Sequence, residues 1–147
     1  MDINRNYEVG WGQDFGSSPR PCDEDYRGPK NFSEPESCAV RDLLATYPLN
    51  TALSYHSYGD LYVMPFGTKR ESSPDVFLCA DDYYFYRNMS TVLPSGAKLG
   101  TPFETVDYLA DGLFIDYAYG QGVKGLAVEI GPTDFHPPVQ SIPSVLE

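Results

Sequence analysis

Val123-Lys124-Gly125-Leu126-Ala127-Val128-Glu129-Ile130 is the stretch on which the reading of this chain turns. It is apolar, holds three β-branched residues, and stops at Gly131-Pro132, so it reads as the best strand in the sequence. One acid, Glu129, interrupts it. An ionised carboxylate inside an apolar strand is costly unless paired or solvated, so Glu129 is expected to face a cleft. Burial raises a carboxyl pKa above its usual value of about 4.3, which suits a proton shuttle near neutral pH. The plainer reading is an ion pair with Lys124 or Arg41.

Outward from this strand, Ser33-Glu34-Pro35-Glu36 reads as a helix start, with Ser33 as the cap, Pro35 in the first turn and Glu36 three residues on. That helix runs through Val40, Leu43 and Leu44 to about Tyr47 and is ended by Pro48. Thr51–His56 and Leu61–Met64 read as short strands bounded by Asn50, Gly59 and Pro65. Val76–Val92, with its aromatic run Tyr83–Tyr86, fits either a buried helix face or a strand, and the helix is the preferred reading. Residues 8–32 are rich in Gly, Pro, Ser and charge and read as a long ordered loop. Pro137, Pro138 and Pro143 punctuate the tail, with a helix start expected near Pro138. The mixture is α/β or α+β.

The chain has 147 residues, enough for one domain, and 41% are apolar. Ten Lys and Arg stand against 21 Asp and Glu, a net charge of −11, which argues against a nucleic-acid partner because phosphate binding uses basic patches. No apolar run is long enough to span a membrane, and no signal peptide is visible. Cys22, Cys38 and Cys79 match no zinc-finger spacing. Asn31-Phe-Ser33 and Asn88-Met-Ser90 fit the glycosylation sequon and support export only slightly.

Five segments, in order, resemble the zinc carboxypeptidases of the carboxypeptidase A/B type. They are Asp2-Ile-Asn4-Arg5-Asn6-Tyr7; Tyr26-Arg-Gly-Pro with Phe32-Ser-Glu-Pro-Glu36; Ser54-Tyr-His56-Ser57-Tyr58; Tyr108-Leu-Ala-Asp-Gly112 with Ile115-Asp116-Tyr117; and Val128-Glu129-Ile130. The resemblance implies an α/β fold, a single-domain mixed sheet flanked by helices, with residues 1–147 holding the C-terminal half. It implies a metallocarboxypeptidase that releases C-terminal amino acids from peptides by zinc-activated water, acting on peptide or protein C-termini in a secreted setting, with no nucleic acid or membrane partner.

The same resemblance assigns roles. His56 would be a zinc ligand and Glu129 the catalytic proton shuttle. Asn4 and Arg5 would bind the substrate's terminal carboxylate, which a guanidinium fork and an amide suit chemically. Tyr108 would close over the substrate, with Gly100 and Gly112 as hinges. Tyr58 would line the subsites, and Ile115 would give the pocket an apolar or aromatic preference, although Asp111 lies close by in sequence. The bland alternatives are a hydrogen-bonded histidine at the sheet surface, a surface arginine paired with an acid, one packed tyrosine of twelve and a core isoleucine. One departure matters. The family takes two zinc ligands from a His-x-x-Glu motif, and its carbonyl-polarising arginine lies in the same upstream region. Neither is in this chain, so two of three expected ligands for the single Zn2+ are absent. The rival expectation is therefore a non-catalytic remnant that binds peptide termini.

Overall fold

The computed structural model describes residues 1–13, 16–131 and 134–141. Four helices and four strands follow in chain order. They are α1 (Pro35–Thr46), β1 (Thr51–His56), β2 (Leu61–Val63), α2 (Ala80–Asn88), β3 (Lys98–Gly100), α3 (Pro102–Val106), α4 (Phe114–Gly120) and β4 (Lys124–Glu129). The strands form one mixed sheet in the order β1-β4-β2-β3. β4 runs parallel to β1, with His56 level with Glu129, and antiparallel to β2, with Leu61 level with Glu129. β3 runs parallel to β2. The α/β reading therefore holds, with helices on both faces of the sheet.

Alternation along β4 separates the two faces. Leu126 and Val128 join Met64, Phe77, Tyr86 and Tyr119 on one side. Ala127 joins Leu61, Val63, Leu113 and Ile115 on the other. Gly125 sets the distance of α4 from the sheet. A Cβ there would lie 3.1 Å from Ile115 Cα and 3.2 Å from Ala118 Cβ, so the helix rests almost directly on the strand.

The N-terminal loop is ordered around one side chain. Asn6, fully buried, donates from Nδ2 to the Arg27 carbonyl (2.8 Å), the Lys30 carbonyl (2.9 Å) and Ser33 Oγ (2.9 Å). Its Oδ1 accepts from Ser37 Oγ at 2.6 Å and the Glu34 amide at 3.4 Å. All of the amide's capacity is spent on holding residues 27–37 to the chain's first turn. Gly28 is required beside it: its φ is +85°, and a Cβ would fall 2.4 Å from Ser33 Oγ.

Several local expectations are corrected. Ser33 does not cap α1. Glu34 occupies the N-cap without a side-chain bond, while the Ser33 hydroxyl serves Asn6 and donates to Glu34 Oε1. The 76–92 helix is shorter, Ala80–Asn88, followed by a 3-10 turn, Met89–Thr91. The segment near Pro138 is a 3-10 turn, Val139–Ser141. Pro132 and Pro143 lie outside the described residues. β3 and α3 were not anticipated, although Thr101-Pro102-Phe103-Glu104 forms a complete capping box.

Replacing Asn6 with Ala removes one partner from each of two carbonyls, two hydroxyls and the Glu34 N–H, and stability is expected to fall by about 3 kcal/mol. Urea unfolding measures this, and a loss below about 1 kcal/mol would show that the loop is held by something else.

Candidate active site

One small cavity of about 40 Å³ is lined by Asn4, Arg5, Tyr108, Ile115 and Glu129 among apolar neighbours. Five of the seven residues singled out from the sequence thus converge. The side chains that bring them together can be followed individually.

Asn4 sits in a 3-10 turn, Ile3–Arg5, capped by Asp2, whose carboxylate accepts from the Asn4 amide N–H at 2.8 Å. Asn4 Oδ1 accepts from the Phe114 N–H at 2.9 Å. The first amide of α4, an orphan donor by position, is therefore capped from over a hundred residues away. This bond fixes the amide's orientation and leaves the Nδ2 hydrogens as the donors it can offer a ligand. Arg5 is held as firmly. Its Nε donates to the Gly16 carbonyl at 2.8 Å and its Nη1 to the Asn4 carbonyl at 2.9 Å, with Asp2 Oδ2 at 3.7 Å from Nη1. The plainer reading of Arg5, an ion pair with an acid, is present only in this long contact.

Gly112 has a steric reason. At φ +64°, a Cβ would fall 2.3 Å from the Arg5 carbonyl oxygen, so the 108–112 loop and the Asn4-Arg5 segment touch backbone to backbone. Gly100 likewise lies against Glu104, where a Cβ would be 2.8 Å from Glu104 Cβ. Both glycines expected as hinges are points of close packing. Tyr108 follows Asp107, the left-handed residue that ends α3, and is about half exposed at the cavity mouth.

Glu129 closes β4 and is half-buried; burial pushes its carboxyl above the usual range. The rival ion pairs are taken elsewhere: Lys124 Nζ lies 2.9 Å from Asp82 Oδ1, and Arg41 Nη2 lies 2.8 Å from Asp42 Oδ1. The rest of the lining is apolar, with Val63, Val106, Ala110, Leu113 and Ala127 beside Ile115. Asp111 is fully buried and does not line the cavity. These apolar lining residues were not singled out from the sequence. The Thr101–Glu104 capping box, which announces α3, was the available signal for Val106.

His56 and Tyr58 stand apart from this group. His56 is level with Glu129 on the neighbouring strand, and the Ile130 N–H donates to its carbonyl at 2.9 Å. Its ring borders a different, larger recess, and its Nε2 lies 2.9 Å from Ser54 Oγ. Burial, opposed by Asp2 and reinforced by Arg5, holds the imidazole below its ordinary pKa. Tyr58 is 41% exposed and packs edge-on against Phe135 at 4.9 Å, away from the cavity.

The zinc carboxypeptidase family model matches residues 1–147. The chain belongs to the zinc carboxypeptidase family. The match is to the C-terminal half of the domain. The chain is 30% identical to carboxypeptidase A5 of Macaca fascicularis, over all of this chain and 35% of that protein. It is 32% identical to human carboxypeptidase A6, over 92% of this chain and 31% of that protein. Against rat carboxypeptidase A1 the identity is 35%, over 84% and 30% respectively. The chain thus spans about a third of the length of these relatives. Among solved structures, it superposes on bovine thrombin-activatable fibrinolysis inhibitor, in complex with tick carboxypeptidase inhibitor. The TM-score is 0.75 at 28% identity, covering 99% of this chain and 51% of that one. For carboxypeptidase A from Helicoverpa armigera the TM-score is 0.68 at 26% identity, covering 92% and 34%.

Zinc is the cofactor this family implies. A catalytic zinc site uses three protein donors, and the handiest test is whether three converge. Among the described residues no group of three His, Cys, Asp or Glu side chains could hold a metal ion. His56 is level with Glu129 on the neighbouring strand, and the described residues alone do not make the site, so no metal-dependent step is derived from them.

Behind the pocket wall, Asp116 is completely buried beside Ile115 and accepts the Gly67 N–H at 2.9 and 3.2 Å. Burial, only partly opposed by that N–H, raises its carboxyl from 3.8 to about 7. The folded state therefore binds a proton that the unfolded state has released across this interval. The contribution to stability is complete below the unfolded pKa and is lost as pH rises through about 7. Asp116→Asn is expected to flatten the fall in stability over that window, as read from unfolding midpoints at a series of pH values. An unchanged slope would assign the fall to another group.

Proposed function

We propose that residues 1–147 are part of a zinc carboxypeptidase catalytic domain and supply its grip on a peptide's C-terminus together with its proton-transferring carboxyl. The reading further assigns a preference for apolar or aromatic terminal residues. The observation that carries it is the convergence of Asn4, Arg5, Tyr108, Ile115 and Glu129 on one cavity whose remaining wall is apolar.

In this reading the Arg5 guanidinium and the Asn4 Nδ2 hydrogens meet the terminal carboxylate, an ion that charge-assisted donors hold well. The bonds to Gly16 and Asn4 orient the guanidinium before a ligand arrives, so less rotamer entropy is lost on binding. Ile115, with Val106 and Leu113, receives the terminal side chain. A matching apolar group gains roughly 1–3 kcal/mol there, whereas a lysine or arginine would be desolvated without a partner. Tyr108, at the rim, covers the bound residue and excludes water. Glu129, already inclined to hold a proton, takes one and returns it to the leaving amine. His56 serves as one metal donor, with the others supplied from outside residues 1–147. In this reading Tyr58 lines the outer subsites. An exported setting and peptide partners accompany the reading.

A second reading, a chain that binds peptide ends without turning them over, is favoured by the single imidazole. The two meet in one expectation. The isolated chain binds a short peptide ending in Phe or Leu more tightly than one ending in Lys or Arg, and releases no amino acid when zinc is added. Arg5→Ala weakens that binding by about ten- to a hundredfold, the value of a charge-assisted bond. Isothermal titration and amino-acid release are the measurements. Equal affinity for Phe and Lys ends would sink the pocket assignment, and chelator-sensitive turnover by the isolated chain would sink the account of the metal donors.

In any assembly that restores turnover, Glu129→Gln is expected to keep peptide affinity while lowering kcat by about 10²–10⁴-fold. Near-normal kcat in that variant removes Glu129 from its role.

A further inference from the structure

Resting on the reading above, we infer that the pocket for the terminal residue favours short aliphatic side chains, of the size of valine, over aromatic ones, and that Leu113 sets this limit. The proposed function admits apolar and aromatic ends alike, and the inference narrows it to the first.

The size of the cavity is the first support. It holds about 40 Å³. One water-sized group needs roughly 10–15 Å³, so about three such groups fit. That matches the carbons of a valine side chain, and leucine exceeds it by one. An engineered apolar cavity that takes benzene measures about 150 Å³, roughly four times as much. The lining explains the difference. Leu113, Ile115, Val106 and Val63 are all branched, and a branched group takes up the width of a pocket as well as its depth.

The second support is that this wall has nowhere to retreat. Leu113 is 4% exposed, and its Cδ1 lies 2.5 Å from where a Cβ on Gly67 would fall. The leucine thus already fills the space that a side chain at position 67 would need. Behind it, the Gly67 backbone is tied on both sides. Its N–H donates to the Asp116 carboxylate at 2.9 Å, and its carbonyl accepts from the Ala110 N–H at 2.9 Å. Leu113 is also the N-cap residue of α4, and the N–H of the next residue is held by Asn4 Oδ1. Its backbone cannot shift without breaking that bond.

The other walls are as firm. Ile115 is 3% exposed and lies where α4 rests on Gly125. Val106 ends α3, a helix tied down by its capping box, by Ser72 on Glu104 and by Lys98 on the Thr105 carbonyl. Packed walls of this kind yield reluctantly, because an oversized guest forces side chains off their rotamers. Tyr108 is half exposed at the mouth, so its movement widens the entrance and leaves the floor where it is.

A phenyl ring therefore stays partly in the mouth and buries only part of its surface. It still gains over a lysine or arginine, whose charge would lose water without a partner. The expected order is valine and leucine, then phenylalanine, then the basic residues. Leu113 decides the first step, because truncating it joins the empty space over Gly67 to the cavity.

The experiment titrates the 147-residue chain calorimetrically with short peptides identical except for a last residue of Val, Leu, Phe or Lys. Val and Leu ends are expected to bind at least roughly tenfold more tightly than Phe, the discrimination that a methylene or two gives in an apolar pocket. Leu113→Ala is expected to reverse the order of Val and Phe. Should that variant fail to fold, Leu113→Val keeps most of the packing and is expected to shrink the Val-to-Phe ratio by about threefold. A Phe end bound as tightly as Val, with Lys still weaker, overturns the inference and leaves the functional reading standing. An unchanged ratio in a folded Leu113 variant overturns it as well. Equal binding of all four ends, or no binding of any, rejects the functional reading and the inference with it.

Discussion

The close seating of α4 on β4 at Gly125 is the contact from which the rest of the structure takes its dimensions. A Cβ at that position would press on Ile115 Cα and Ala118 Cβ, and helix and strand would have to part by a few tenths of an ångström. With the Cβ absent, α4 settles onto the sheet and three consequences follow. Ile115 is pressed into the wall above Ala127. Tyr117 reaches the aromatic group of Tyr7 and Phe32, whose rings lie 5.9 and 5.0 Å from it. The N-terminus of α4 comes to lie where Asn4 caps it. The Asn4-Arg5 segment is thus positioned by the helix, and the helix by a missing methyl group.

That chain of contacts explains why binding and structure are hard to separate here. Asn4 gives its carbonyl oxygen to α4 and has only its amide hydrogens for a ligand. Arg5 gives two of its donors to backbone carbonyls. Asn6, the next residue, is wholly committed to the loop. Three consecutive polar residues therefore grade from partly free, beside the cavity, to wholly structural, and any grip proposed for the first two depends on how little each can move. Preorganisation of this kind lowers the entropy lost on binding without adding any contact.

The strands with strong apolar runs were legible in the sequence because their signal is local. β4 and β1 appear within one residue of their expected limits, and α1 ends at Thr46, before Pro48, as the proline requires. What was not legible depends on distance along the chain. The Ser33 signal was sound chemistry, but Asn6, 27 residues away, competes for the same hydroxyl and wins because it is buried. α4 has no side-chain cap of its own and carries four aromatic or β-branched residues in seven, so propensity gives it little support. It forms because Asn4 and Gly125 accept it. The candidate site divides in the same way: Glu129 stood out as an acid in an apolar strand, whereas Val106, Ala110 and Leu113 had nothing to mark them until the fold assembled them around Ile115.

The electrostatics of the cavity follow from where water is excluded. Glu129 and Asp116 both have carboxyls raised by burial, but with different surroundings. Asp116 has the Gly67 N–H and no route to solvent, so its proton serves packing. Glu129 stands at a strand end beside a cavity that Arg5 also lines, so its carboxyl is within reach of whatever enters. A raised carboxyl is useful for transfer only where a reacting atom can reach it. In the proposed function, binding energy from Arg5, Asn4 and the apolar wall would hold substrate and transition state alike, and so would lower a dissociation constant without raising a rate. Turnover needs an interaction made only as the bond breaks; the proposed function assigns Glu129 the proton transfer, and the described residues hold no metal-binding group. Under the proposed function, the described residues therefore hold the grip on a peptide end apart from the metal chemistry that would cut it.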